Sequence, residues 1–149
     1  MAATDNIEMV RRRFEELDNG NFDVLDELFS PRYQLHPGGG AEPLSLEETK
    51  DLYRRLYDAF PDLKHNLDQQ LADGDRVVTR WTARGTHKAE FLGVEPTGEE
   101  VNLSGINVYE IEDGRFVRSD VSWDLLPALQ RLRVVSHRAS LFDSVRGRG

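Results

Sequence analysis

The chain has 149 residues, no cysteine and a formal net charge of −8. One domain of ordinary size is expected, able to bury a real core without covalent staples. The lack of cysteine excludes a disulfide framework, a thiol nucleophile and Cys-ligated zinc or iron–sulfur sites, and the acidic balance disfavours a phosphate backbone as partner.

The opening MAATDNIEMVRRRFEEL carries no apolar run of the kind an export signal needs. No stretch approaches the ~20 apolar residues of a membrane span. The expectation is a soluble, cytoplasmic protein with neither nucleic acid nor membrane as partner.

In residues 5–18, Ile7, Val10, Phe14 and Leu17 form one apolar stripe at helical spacing. Asn19-Gly20 ends this helix, since both residues tolerate the left-handed conformation. A short helix follows over Asp23–Phe29 and stops at Pro31. Tyr33–His36 reads as a short strand, and PGGGAEP as a loop. Ser45-Leu-Glu-Glu48 is a capping box, which opens a helix running to about Phe60 with Leu52, Tyr53, Leu56, Tyr57 and Phe60 as its apolar face.

From His65 onward the period changes to two. Strands are expected over Lys64–Leu71, Arg76–Thr86, Val101–Ile111 and Arg115–Asp124. Asp73-Gly74 and Asp113-Gly114 mark hairpin turns, and Leu125–Leu132 reads as a terminal helix. Helices first and a strand meander after them imply an α+β class, with a pocket on the concave face of the sheet. Residues 1–133 form the domain. Residues 131–149 hold five arginines and one acid, Asp143, a net of +4 in an otherwise acidic chain. Residues 134–149 are therefore read as a basic, solvated tail, with docking to an acidic partner as the alternative.

Several strings occur together in order and spacing: NGNFDVLDELF, PRYQLHPG, the run from AFPDLKHNLDQQL through GTHKAEFLGVEPTG, VNLSGINVYEIEDGRFV and SWDLLPALQRL. Over about residues 5–132 the sequence resembles the SnoaL-like polyketide cyclases of the NTF2-like superfamily. The resemblance implies a cone-shaped α+β barrel, a homodimer packed through the open face of its sheet, and a deep apolar pocket for a small-molecule ligand. It also implies ring closure by an intramolecular aldol reaction without metal or organic cofactor. In such enzymes a carboxylate removes a proton alpha to a carbonyl, and a histidine and other polar groups steady the enolate. Counted from the Asp113-Gly114 turn, the family's catalytic aspartate falls at Val121 and its histidine at Asn107. Asp120 lies next door, but one residue along a strand is the opposite face. Only a bulge would turn it inward.

The candidate catalytic residues are Asn107, His36 and Asp120. Asn107 shares a face with Val101, Leu103, Gly105 and Tyr109, and serves either a substrate carbonyl or an internal network. His36 has the titration range for acid/base work. The candidate pocket residues are Tyr33, Arg80, Trp81, Tyr109, Ser119, Val121 and Trp123, of which only one of the neighbours Arg80 and Trp81 can face inward. Val117, Ser119, Val121 and Trp123 are expected on the inner face of the last strand, and Asp124 as the cap of the terminal helix. His65 and His137 look exposed, and His87 sits at a strand end. The four histidines have no metal-ligand spacing, and the glycines at 38–40 lack the residues of a phosphate loop. The leading function is a cyclase-type enzyme acting on a bulky apolar carbonyl compound through an enolate. The alternatives are a hydroxylase-like relative, which needs oxygen and a reductant, and a non-catalytic binding or dimerisation module.

Overall fold

The structure is a computed structural model, described here for residues 3–134. The basic tail beyond Val134 and His137 within it lie outside the described residues. Ten elements follow in order: α1 (Ala3–Asp18), α2 (Val24–Leu28), β1 (Phe29–His36), β2 (Leu44–Ser45), α3 (Leu46–Ala59), β3 (Lys64–Asp73), β4 (Arg76–Thr86), β5 (Glu100–Glu112), β6 (Arg115–Asp124) and α4 (Leu126–Arg131). The six strands make one curved sheet in the order β2-β1-β6-β5-β4-β3. This is the expected α+β architecture, with one correction. β2 and β3 remain free edges, so the sheet is open and not a closed barrel.

The helices form as their sequences direct. α1 buries Asn6, Met9, Val10, Arg13, Phe14 and Leu17, a face at spacings of three and four. Gly20, at φ 85°, supplies the left-handed turn after it. The Ser45 hydroxyl accepts from the Glu48 amide while the Glu48 carboxylate accepts from the Ser45 amide, completing the capping box. α1 packs on β3 and β4, and α3 on β1.

Pro31 does not stop a helix. α2 ends at Leu28 and β1 begins at Phe29, so the strand is longer than expected. It runs parallel to β6, and Pro31 sits where the register between them is irregular, so its missing N–H costs no ladder bond. The second hairpin turns at Asp113-Gly114, both at positive φ, as a two-residue turn requires. The first turns at Gly74-Asp75, one residue later than expected, because Asp73 still pairs with Arg76.

Two bulges set which side chains face the core. In β3 the register slips between Leu67 and Gln69, so Leu71 points outward and is 61% exposed. In β6 the slip lies opposite Glu110 and Ile111, so the fully buried residue there is Phe116 and not the expected Val117. Beyond that bulge Ser119 and Val121 are buried as expected.

Candidate functional site

The helices and the concave face of the sheet enclose a small cavity. α1 contributes Arg13 and Phe14, α3 contributes Tyr53, Leu56 and Tyr57, and the sheet contributes His65, Trp81, Asn107 and Trp123. Its free volume is about 20 Å³, room for about one water molecule. Trp123 and Leu56 also line a larger apolar groove of about 690 Å³, together with Leu52, Phe91, Leu92 and Leu125. These two side chains are therefore the partition between the inner cavity and the outer groove.

The most organised chemistry in the cavity joins the end of α1 to the start of β3. Asp18 Oδ1 lies 2.8 Å from His65 Nδ1 and accepts from the Tyr57 hydroxyl at 2.6 Å, while Oδ2 accepts from the His65 backbone amide at 2.8 Å. Both partners are buried, with 8% and 6% of their side chains exposed. A carboxylate only accepts, so the shared proton sits on Nδ1 and the His65 Nε2 lone pair is left bare. Nε2 has no hydrogen-bond partner among the described residues. Burial pushes the His65 pKa below its ordinary value despite the opposing pull of Asp18. Burial pushes Asp18 up, but hydrogen bonds from His65 and Tyr57 outweigh it and hold the carboxyl below its usual range. The imidazole is neutral at neutral pH, oriented by a carboxylate and backed by Trp81 and Phe14 at ring distances of 4.9 and 5.0 Å.

Asn107 joins an internal network. Its Oδ1 accepts from the Trp81 indole at 3.0 Å and its Nδ2 donates to the Tyr109 hydroxyl at 2.7 Å. That uses one of its two amide hydrogens, and the side chain still lines the cavity. Tyr109, Tyr33 and Ser119 are buried but do not line the cavity. Burial raises the pKa of Tyr33 and Tyr109. Ser119 is close enough to oppose the shift of Tyr33, although neither hydroxyl reaches a partner in full hydrogen-bond geometry.

Trp81 is the inward member of its pair, only 3% exposed, whereas Arg80 is exposed on the outer face. The structure also moves His36 and Asp120 away from the cavity. Both alternate with buried neighbours, Leu35 before His36 and Val121 after Asp120, so both project from the convex face. There Asp120 forms a two-pronged pair with Arg118 at 2.9 Å, which holds its pKa below the usual range. β6 does contain a bulge, but it lies before Ser119 and leaves Asp120 outside. Asp124 is not the cap residue of α4. That position is Leu125, and the Asp124 carboxylate accepts from the Leu126 amide one step earlier. His87 is fully buried, its Nδ1 accepting from the Thr97 amide at 3.2 Å. Among the described residues no cluster of three or more His, Cys, Asp or Glu side chains is placed to hold a metal ion.

His65, Asp18 and Arg13 are the site residues that the sequence reading missed. His65 precedes Leu67 by two, so strand alternation already places it on the inner face. Arg13 hides in the run Arg11-Arg12-Arg13, but it falls four after Met9 and three after Val10, on the buried stripe of α1. For Asp18 no local signal exists, because its partner lies 47 residues on.

The family model for SnoaL-like polyketide cyclases matches residues 8–132. No curated protein sequence matches the chain. Among solved structures, the chain is similar to IdmH, a candidate polyketide cyclase from Streptomyces antibioticus, at 29% identity and TM-score 0.76, covering 86% of this chain and 98% of that one. A candidate SnoaL-like polyketide cyclase from Jannaschia sp. CCS1 aligns at 25% identity and TM-score 0.80, over 89% of this chain and 94% of that one. AclR, a candidate hydroxylase from Streptomyces galilaeus, shares the fold at TM-score 0.85 and 24% identity, over 90% of this chain and 99% of that one. The chain belongs to the SnoaL-like polyketide cyclase family, with the open-sheet NTF2-like fold of that family.

Proposed function

We propose that this chain catalyses cofactor-free acid/base chemistry on an apolar carbonyl compound through an enolate, with His65 as the base. The observation that carries the reading is the buried Asp18–His65 pair, which leaves Nε2 without a partner on a residue that lines the cavity. In this scheme Nε2 takes a proton from the carbon alpha to a carbonyl, and Asp18 stabilises the imidazolium that forms. The second amide hydrogen of Asn107 is available to the enolate oxygen. The enolate carbon attacks a second carbonyl of the same molecule, one C–C bond forms, and the alkoxide recovers the proton from the imidazolium. His65 thus does from β3 what a β6 carboxylate does in the family pattern, where Val121 stands here.

The near-filled cavity favours a second reading, a binding module without turnover. Exchange of alpha protons separates the two, because it needs the base and not the native substrate. The protein is expected to accelerate deuterium uptake by 2-tetralone in D₂O, and His65→Asn to lose about 10²–10⁴-fold of that acceleration. Exchange no faster than in buffer favours the binding module.

The remaining parts of the proposal concern assembly and place. On the outer face Val78 is 37% and Ile106 45% exposed, and Ile106 lines a shallow groove of about 490 Å³. Such a face suits pairing with a second copy of the chain. A cytoplasmic location rests on the cysteine-free sequence. Among the described residues no helix is long and apolar enough to cross a membrane.

A further inference from the structure

Arg13 is a buried cation without an anion. Its side chain enters the cavity from α1 and the residue is 3% exposed. Among the described residues no carboxylate pairs with it. One guanidinium nitrogen donates to the Tyr53 hydroxyl, while Nε has no partner. The rest of its surroundings are aromatic: Cζ stands 4.1 Å from the ring centre of Phe14, 4.9 Å from Tyr53 and 6.0 Å from Tyr109.

Ring faces attract a cation only weakly compared with the hydration it has lost. A guanidinium cannot shed its proton to relieve the cost, as a buried lysine can. Asp18, the acid behind His65, has its oxygens taken by His65 and Tyr57 and forms no ion pair with Arg13. A chain that keeps such a charge without a partner has left the counter-charge to something else. Tyr53 adds to the donor set, because it accepts from Arg13 and its own hydroxyl hydrogen remains free.

We infer that the cavity takes an anionic ligand, a carboxylate or acidic phenol on an aromatic body, with the negative oxygen on Arg13 and Tyr53. The planar fork of arginine suits two oxygens of one carboxylate. Phe14, Trp81 and Trp123 offer rings for the aromatic body. The closed cavity is too small for that body, so Trp123 must move toward the outer groove to admit it. This inference deepens the enolate reading by naming the substrate class, since Arg13 and His65 share one cavity. Its test measures binding alone and therefore stands or falls apart from turnover.

The chain has two tryptophans, and both line the cavity. Their indole N–H signals in a ¹⁵N-labelled sample report on its contents. Benzoate and benzamide, titrated separately at neutral pH, differ in charge and hardly in shape. Benzoate is expected to shift both indole signals and to bind about tenfold or more tightly than benzamide, as a charge-assisted hydrogen bond allows. Arg13→Met should bring the two affinities within about twofold, while Arg13→Lys, which keeps the charge but loses the fork, should retain part of the preference. Equal affinities in the native chain overturn the inference, as do indole signals that neither compound moves. Survival of the full preference in Arg13→Met overturns it too. Should Arg13→Met fail to fold, the native comparison and Arg13→Lys still decide.

Discussion

His65 Nδ1 lies 2.8 Å from Asp18 Oδ1, across the seam where the end of α1 meets the start of β3. The pair fixes the tautomer of a histidine that lines the cavity and leaves its other nitrogen without a partner, so activity should follow the protonation of one ring. Burial lowers the His65 pKa from its ordinary 6.5. The rate of alpha-proton exchange should therefore rise with pH along a limb centred below 6.5 and be flat above it. Asp18→Asn removes the charge that stabilises the imidazolium and should cut the exchange rate about 10²-fold or more. A limb centred above 6.5, read from the pH–rate profile, contradicts the role given to His65.

The same shifts have a consequence for stability. A histidine with a lowered pKa in the folded state favours the unfolded chain once that chain can take up its proton. Its contribution is intact above about 6.5 and is lost as pH falls through the folded-state value. Asp18, lowered from 3.8, adds the same sign of effect at still lower pH. Urea midpoints should fall between pH 7.5 and pH 5, and His65→Asn should flatten that slope even where it lowers the midpoint at both ends.

Trp123 separates the closed cavity from the outer groove and stands edge-on to Trp81 at 6.3 Å. Trp123→Ala should merge the two spaces. Its cost should stay below the about 3–5 kcal/mol of a fully buried tryptophan, because the residue is only half-buried. Fluorescence of N-phenyl-1-naphthylamine, an apolar dye, should rise more with this variant than with the native chain. An unchanged signal means that another part of the wall keeps the cone shut.

Gly105 lets Trp81 lie against β5. A Cβ at this position would stand 2.6 Å from Trp81 Cζ2 and 2.9 Å from the Ser122 carbonyl oxygen. Gly105→Ala should destabilise the fold by about 1–3 kcal/mol, in the range of overpacked cores. It should also disturb the Trp81–Asn107 hydrogen bond, visible as a shift of the Trp81 indole signal. A neutral Gly105→Ala would mean that the ring slides away at little cost.

Much of the fold was legible in local chemistry. The capping box at Ser45, the Asn19-Gly20 stop and the Asp113-Gly114 turn each act within a few residues, and each is where its residues say it should be. The faces of β5 followed from alternation alone, so Asn107 and Tyr109 were placed inward correctly. Errors arose where a long-range register intervened. The bulges at Asp68 and near Val117 exchange faces in mid-strand, and neither carries a glycine to announce it. The parallel pairing of β1 with β6, far apart in sequence, is invisible to local pattern. It also puts His36 and Asp120 side by side on the convex face, away from the cavity lining. The Asp18–His65 pair was missed for the same reason: it exists only once α1 has docked on β3.

The central claim is that the base lies on β3 and not on β6, and a paired exchange measurement tests it. Deuterium uptake by 2-tetralone is followed for the native chain, His65→Asn and Asp120→Asn, with thermal midpoints recorded for all three. The account predicts that His65→Asn loses about 10²–10⁴-fold while folded, and that Asp120→Asn, which breaks a surface pair with Arg118, keeps the native rate. Loss of exchange in Asp120→Asn with full activity in His65→Asn would contradict it and return the base to β6.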